Sequence, residues 1–228
     1  MSVIFPLLLV AILLACAASV YREGMWGNAL NLVNVILAGL IAFNFFEPLA
    51  KWLEDIMPSF TLFHDFVALW LIFCLSLLVL RMATTYVSRT KVRFLAVADR
   101  IGSGAFALLV GWVMVCFTTA SLHTAPLARK FLWGGFNPEK RMMFGLAPDR
   151  QWLGLVRMVS AAGLGRGEEH RFDPNGAFIV KYAAFRSAVE EVAGSGSLMT
   201  RSGSPIPARA GGRAASSEER EKAAEQEG

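Results

Sequence analysis

Three histidines and three cysteines are the side chains of this 228-residue chain best suited to catalysis or metal binding, and their spacing favours neither. Each cysteine lies inside an apolar run, with no histidine at metal-ligand spacing. A serine nucleophile would need a basic partner at its own depth, and the apolar runs offer none to Ser76 or Ser121. We therefore expect no catalytic site, no metal and no cofactor. The six residues are His64, His123, His170, Cys16, Cys74 and Cys116.

Four asparagines inside an uncharged apolar stretch, residues 25–46, are more informative. At 100° per residue, Asn31 and Asn34 share one narrow face of a helix with small residues. An amide in hydrocarbon is costly without a hydrogen-bond partner, so this face should pack on another helix. Interhelical hydrogen bonds worth about 0.6–2 kcal/mol each would explain the asparagines, and a polar line for a solute is the alternative. The face consists of Gly27, Asn31, Asn34, Ala38 and Ala42.

A second face of small residues is predicted in residues 101–122, where Gly104 and Gly111 lie on one side of a helix. Small residues let two helix backbones approach closely in a membrane. We therefore predict that this face packs on the asparagine face. The resulting packing and polar seam comprises Gly27, Asn31, Asn34, Ala38, Gly104 and Gly111.

Four apolar runs supply the helices that must position these residues. The chain is 55% hydrophobic and 18% charged, against about 25% charged residues in soluble domains. A helix of about 20 apolar residues crosses a hydrocarbon core of about 30 Å, so each run is expected to span. No Lys or Arg precedes Arg22, which favours an uncleaved first span over a signal peptide or a lipoprotein start at Cys16. The runs are residues 2–20, 25–46, 64–80 and 101–122.

The connections between the runs carry the charge. Arg22 and Gly24 lie in a three-residue hairpin, in which glycine supplies backbone freedom. Residues 47–63 are expected to hold an amphipathic helix at the membrane interface, anchored by Trp52. The excess of Lys and Arg in the connector after the third run places it in the cytoplasm and both chain termini in the periplasm, and its charge suits anionic lipid headgroups. The basic residues of this connector are Arg81, Arg89, Lys91, Arg93 and Arg100.

The rest of the chain is more polar. Residues 123–193 are expected to form an amphipathic, interfacial helical region, with one short helix at 152–164 and another capped by Asp173. Residues 194–228 are dominated by Ser, Gly, Ala, Pro and Glu and are predicted to be disordered. The net charge of +4 is not clustered, so nucleic acid is not expected as a partner. The predicted fold class is an all-α membrane protein, with four transmembrane helices in residues 1–122 and a short helical, partly disordered C-terminal extension.

Two short motifs accompany the apolar runs. Together with the order and spacing of those runs, they resemble the colicin V production protein family (CvpA) over about residues 1–122. The first motif, Arg22-x-Gly24, precedes Ala29-Leu30 and Leu32-Val33, and the second, Asp99-Arg100, precedes Gly102, Phe106 and Gly111.

The resemblance implies a multi-pass protein of the bacterial inner (plasma) membrane that supports colicin V production or export and envelope maintenance. It transfers no catalytic residue, cofactor or substrate, so we expect a non-enzymatic protein. A small transporter or channel subunit, suggested by the asparagine face, and a membrane scaffold for a partner protein are the alternatives. The expected partners are the lipid bilayer and either a second copy of the chain or a protein of the envelope or secretion apparatus.

Overall fold

The computed structural model describes residues 4–56, 63–88, 96–125, 143, 145–162, 173 and 178–183. The regular elements in these ranges are all helical, which confirms the predicted all-α class. The helices are α1 (Ile4–Val20), α2 (Gly24–Ile56), α3 (His64–Val87), α4 (Ala96–Leu122) and α5 (Pro148–Ala162), and a 3-10 turn, Tyr21–Glu23, joins α1 to α2. Residues 178–183 form a short helix in a separate unit.

Three helical stretches are long and apolar enough to cross a membrane, namely Ile4–Ile56, His64–Val87 and Ala96–Leu122. The first is 53 residues long, because α1, the 3-10 turn and α2 follow one another without a gap. The prediction of a multi-pass helical membrane protein is confirmed at this level.

α4 is the central helix of the bundle and packs against α1, α2 and α5. Near the end of α1, the Tyr21 carbonyl accepts a hydrogen bond of 2.6 Å from Ser103. Two turns further along α4, Gly111 lies against the Leu13 carbonyl, which precedes Tyr21 in the chain. α1 therefore runs antiparallel to α4.

α2 runs in the same direction as α4. Asn28, in its first turns, bonds to Ser103 near the start of α4. Phe43, four turns later, packs on Phe117 near the end of α4, with ring centroids 5.8 Å apart. Because α1 is antiparallel to α4, α1 and α2 also run in opposite directions. The chain therefore reverses at the 3-10 turn and Gly24.

α3 packs mainly on α2 and runs antiparallel to it. Thr84, in the last turn of α3, bonds to Asn34. Trp70, near its start, donates its indole N–H to Ser121 at the far end of α4, over 3.1 Å. The outer side of α3 remains exposed, and its side chains are those that suit lipid. They include Val67, Leu71, Leu75, Leu78, Val79 and Met82.

An aromatic cluster ties α5 to the bundle. Phe73 of α3 stacks on Phe117 of α4, with ring centroids 4.1 Å apart. The Trp152 ring of α5 packs edge-on against Phe117 and at a tilt of 59° against Phe43. A Cβ on Gly39 of α2 would overlap the Trp152 ring, so only glycine admits α5 at this distance. Residues outside the main apolar runs therefore contribute directly to the core.

Four helices extend beyond their predicted bounds at one end or both. α2 continues past residue 46 through Pro48 to Ile56, so the amphipathic helix expected in residues 47–63 is continuous with the second apolar run. Phe46 and Ala50 are buried there, which explains why the helix persists. α3 continues to Val87 and α4 begins at Ala96, so both ends of the expected basic connector are helical. α5 begins four residues earlier than predicted, at Pro148.

Other predictions fall wholly or partly outside the described residues. Arg89, Lys91 and Arg93 lie there, as do residues 194–228 and His170. Asp173 is described and has a φ of 44°, and the next described helix covers residues 178–183.

Candidate functional site

The hairpin between α1 and α2 is the best-defined polar site near the predicted motifs. Gly24 adopts φ 82° and ψ 174°, a conformation open to glycine and strained for other residues. The next backbone N–H, that of Met25, starts α2 and therefore has no partner within the helix. It donates to Asp99 Oδ1 of α4 over 2.9 Å. Asp99 thus caps α2 from a different helix, 74 residues away in sequence.

The first two turns of α4 hold both arms of the hairpin. Ser103 donates its hydroxyl to the Tyr21 carbonyl and accepts a hydrogen bond of 2.9 Å from Asn28 Nδ2. Asn28 is completely buried, and its Nδ2 is paired with Ser103, whereas its Oδ1 has no hydrogen-bond partner among the described residues. A Cβ on Gly102 would overlap the Met25 side chain, which explains the glycine there. We call Gly24, Met25, Asn28, Asp99 and Ser103 the hairpin clamp.

Glu23 extends the site to α3. Its Oε1 accepts a charge-assisted hydrogen bond from Arg81 Nη2. Its Oε2 accepts a hydrogen bond of 2.6 Å from Asn31. Further along α2, Asn34 donates to Thr84 over 3.0 Å. Asn31 therefore binds α2 to the hairpin, and Asn34 binds it to α3.

The predicted seam is divided between two places in the bundle. Gly111 packs against the Leu13 carbonyl of α1, which lies 2.6 Å from the position of an added Cβ. Gly104 faces the Tyr21 ring of the hairpin. Neither glycine meets the asparagine face of α2. That face contains Gly27, which faces Glu23, and the fully buried Ala38. The expected mating of the two faces is therefore corrected, because α4 meets α2 through Asn28 and Gly39 instead.

The basic residues predicted as a loop lie partly on helices. Arg81 belongs to α3 and Arg100 to α4, and both are exposed at the hairpin end of the bundle. Arg22, in the 3-10 turn, is exposed at the same end. These three arginines lie at the same end of the bundle, where Glu23 binds Arg81 and Asp99 caps α2.

A second polar site lies at the opposite end of α4 and was missed by sequence reasoning. His123 Nε2 lies 3.1 Å from Asp149 Oδ2, and the two side chains are 0% and 1% exposed. Asp149 is in the first turn of α5, so the pair joins that helix to the end of α4. The two residues are 26 positions apart in sequence, and no pattern in the sequence indicates that they pair. We call His123 and Asp149 the buried pair.

Neither site has the composition of a metal centre. Within the part of the chain that the structure describes, no group of three His, Cys, Asp or Glu side chains is placed to hold a metal ion. At the hairpin end the polar groups bind backbone amides, amides of asparagine and one arginine. These hydrogen bonds and the ion pair fix the relative positions of α1, α2, α3 and α4.

Comparison with known proteins gives one match. A family model described as Colicin V production protein matches residues 5–134, a range that includes the whole hairpin clamp. No curated protein and no solved structure matches the chain.

Proposed function

Because the chain belongs to the colicin V production protein family, we propose that it is a non-enzymatic protein of the bacterial inner membrane that supports toxin production and secretion or envelope homeostasis. The observation that carries the proposal is the match over residues 5–134. The hairpin clamp supports it, since Asp99 and Ser103 are engaged in holding helices together. Polar groups that hold helices together agree with a role in organising the helix bundle in the membrane.

The proposal extends to topology. In it, α1, α2, α3 and α4 cross the membrane as four spans, with the hairpin end in the cytoplasm and both termini in the periplasm. The reversal at Gly24 supports two separate spans in the 53-residue stretch. The positive-inside rule supports the orientation, since Arg22, Arg81 and Arg100 lie at one end.

Reporter fusions test this topology. Alkaline phosphatase and green fluorescent protein are each placed at two positions, after Gly228 and between Ser88 and Ala96. Phosphatase should be active only after Gly228, and green fluorescent protein should fluoresce only between Ser88 and Ala96. The reverse pattern of activities would reject the orientation. Activity of phosphatase at both positions would reject the four-span arrangement.

Deletion of the gene in its native bacterium tests the role. The deletion should lower secretion of a reporter peptide toxin or raise detergent sensitivity, and the full chain should restore the lost property. A strain that keeps both properties would reject the proposal.

The proposal that the protein is non-enzymatic has its own test. A chain carrying Ser76→Ala, Cys74→Ser and Cys116→Ser should complement the deletion fully. Failure of this variant at normal abundance would contradict it.

The channel alternative depends on water reaching the asparagine face. Asn34 is 2% exposed and its amide is bonded to Thr84, which favours a dry contact. In a chain without native cysteines, Asn34→Cys should resist a membrane-impermeant thiol reagent. Asp55→Cys, at an exposed and charged position of α2, is the positive control. Labelling of both positions would favour the channel over the packing role.

A further inference from the structure

The hairpin end of the bundle has more exposed positive charge than its acidic residues compensate. Glu23 is engaged by Arg81 and Asn31, and Asp99 by the Met25 N–H. Arg22 and Arg100 are exposed and have no carboxylate partner among the residues described at this end. Two guanidinium groups are therefore free to bind an anion.

The backbone brings these two arginines close together. Arg22 follows Tyr21, whose carbonyl is bonded to Ser103, and Arg100 follows Asp99, which is bonded to Met25. Residues 21–25 and the first two turns of α4 are thus in contact on both sides of the arginines. Guanidinium groups bind phosphate oxygens in pairs of parallel hydrogen bonds, so two of them suit a phosphate group well.

The surroundings indicate the depth of a membrane surface. Tyr21 and Trp26 are 44% and 42% exposed, and Trp26 donates its indole N–H to Ser88. Aromatic residues with one polar and one apolar end are enriched where a helix leaves the hydrocarbon core. The arginines therefore lie at the level of lipid headgroups.

An apolar stripe leads away from Arg100 along α4. Ile101 and Leu108 are 69% and 52% exposed, and their seven-residue spacing places them on one side of the helix. α4 is otherwise the most buried of the long apolar helices, with half of its most apolar window buried. A free phosphate would gain nothing from this stripe, whereas an acyl chain would cover it.

We propose that the hairpin end binds an anionic phospholipid, whose phosphate lies on Arg22 and Arg100 and whose acyl chain lies along Ile101 and Leu108. Charge complementarity selects the headgroup, and the adjoining apolar stripe selects a lipid over a soluble anion. The site is independent of the secretion or envelope role proposed above.

The experiment uses the full chain in nanodiscs of phosphatidylcholine with a minor fraction of phosphatidylglycerol. After extraction in mild detergent, the lipid retained by the protein is measured by mass spectrometry. Phosphatidylglycerol should be enriched over its input fraction. Arg22→Gln and Arg100→Gln should each lower that enrichment about fivefold, which is the typical effect of one basic residue at an anionic surface.

Three controls make the test decisive. The double variant Arg150→Gln/Arg157→Gln removes the same charge from the exposed side of α5 and should retain full enrichment. Unchanged thermal unfolding should accompany the hairpin variants, since neither arginine has a carboxylate partner in the described structure. Inorganic phosphate and glycerol phosphate should not displace the lipid.

Three results would overturn the proposal. The first is unchanged enrichment in the Arg22→Gln/Arg100→Gln double variant, and the second is an equal loss in the α5 control. The third is displacement of the lipid by inorganic phosphate, which would identify a site for a soluble anion. If the hairpin variants unfold, Arg22→Lys/Arg100→Lys retains the charge, and it must then keep part of the enrichment.

Discussion

At the start of α4, Asp99 and Ser103 bind backbone groups of the α1–α2 hairpin, whereas just beyond its end His123 binds a carboxylate of α5. Asp99 is partly exposed and Ser103 is buried, and the ion pair beside them, between Glu23 and Arg81, has side chains that are 32% and 57% exposed. The pair at the other end is almost completely buried. This difference in burial predicts that the loss of one partner lowers the stability of the protein much more at the buried pair than at the hairpin end.

The two ends also differ in their relation to the family. All residues of the hairpin clamp lie within the matched range of 5–134. His123 lies within that range, but Asp149 and Trp152 lie beyond it. The hairpin clamp therefore belongs to the part of the chain shared with the family, and the attachment of α5 is made by a segment outside it.

The largest effect is expected at the buried pair. His123→Ala removes the partner of a carboxylate that is 1% exposed, and loss of one member of a buried pair costs about 3–5 kcal/mol. The free energy of unfolding should fall by that amount in an SDS titration followed by circular dichroism. Replacing both members by leucine should recover most of the loss, because no buried charge then remains. If the single and the double variant lose the same free energy of unfolding, the unpaired carboxylate is not the cause of the loss.

The next effect concerns the hairpin. Gly24→Val places a β-branched residue at φ 82°, ψ 174°, next to the Asp99 carboxylate. Such a conformation costs about 1–3 kcal/mol. Gly154→Ala in α5 is the matched control, since an added Cβ there meets no atom within 4 Å. The control should gain about 0.5–1 kcal/mol of stability. Wild-type stability of Gly24→Val would refute the strained turn.

The sequence predicted the hairpin because only three residues separate two apolar runs and one of them is Gly24. It also predicted that Asn31 and Asn34 need partners, because a buried amide must be paired wherever it lies. It could not predict which partners, since the choice of Glu23 and Thr84 depends on how α2 and α3 are rotated.

The error over Gly111 has the same origin. Small residues allow a close helix contact, but they do not specify which helix makes it. Gly111 packs against α1, whereas Gly39, which is not part of the predicted seam, packs against the Trp152 ring. The buried pair was missed because His123 and Asp149 are 26 residues apart in sequence, and no periodic pattern links the two positions.

The smallest effect is expected for the exposed ion pair at the hairpin. A double-mutant cycle with Glu23→Gln and Arg81→Met should give a coupling energy of about 0.2–1 kcal/mol. Gln is chosen at position 23 because it still accepts the hydrogen bond from Asn31. The coupling should decrease further as salt is added. A coupling of several kcal/mol would contradict the contrast between the two ends.

Disulfide cross-linking tests most directly the claim that the start of α4 is clamped on the hairpin. In a chain without native cysteines, Met25→Cys and Gly102→Cys should form a disulfide on mild oxidation in membranes, because these two positions are in direct contact. A protease site inserted between Ser88 and Ala96 reveals the bond, since the two fragments then stay joined.

The matched control is Met25→Cys in a chain that keeps only Cys116, which lies 14 residues beyond Gly102 on α4, or about 21 Å away along the helix. A disulfide requires Cα atoms within about 7 Å, so this pair should not link. The account predicts joined fragments for positions 25 and 102 and separated fragments for the control. Separated fragments for positions 25 and 102, or linkage of the control alone, would contradict it.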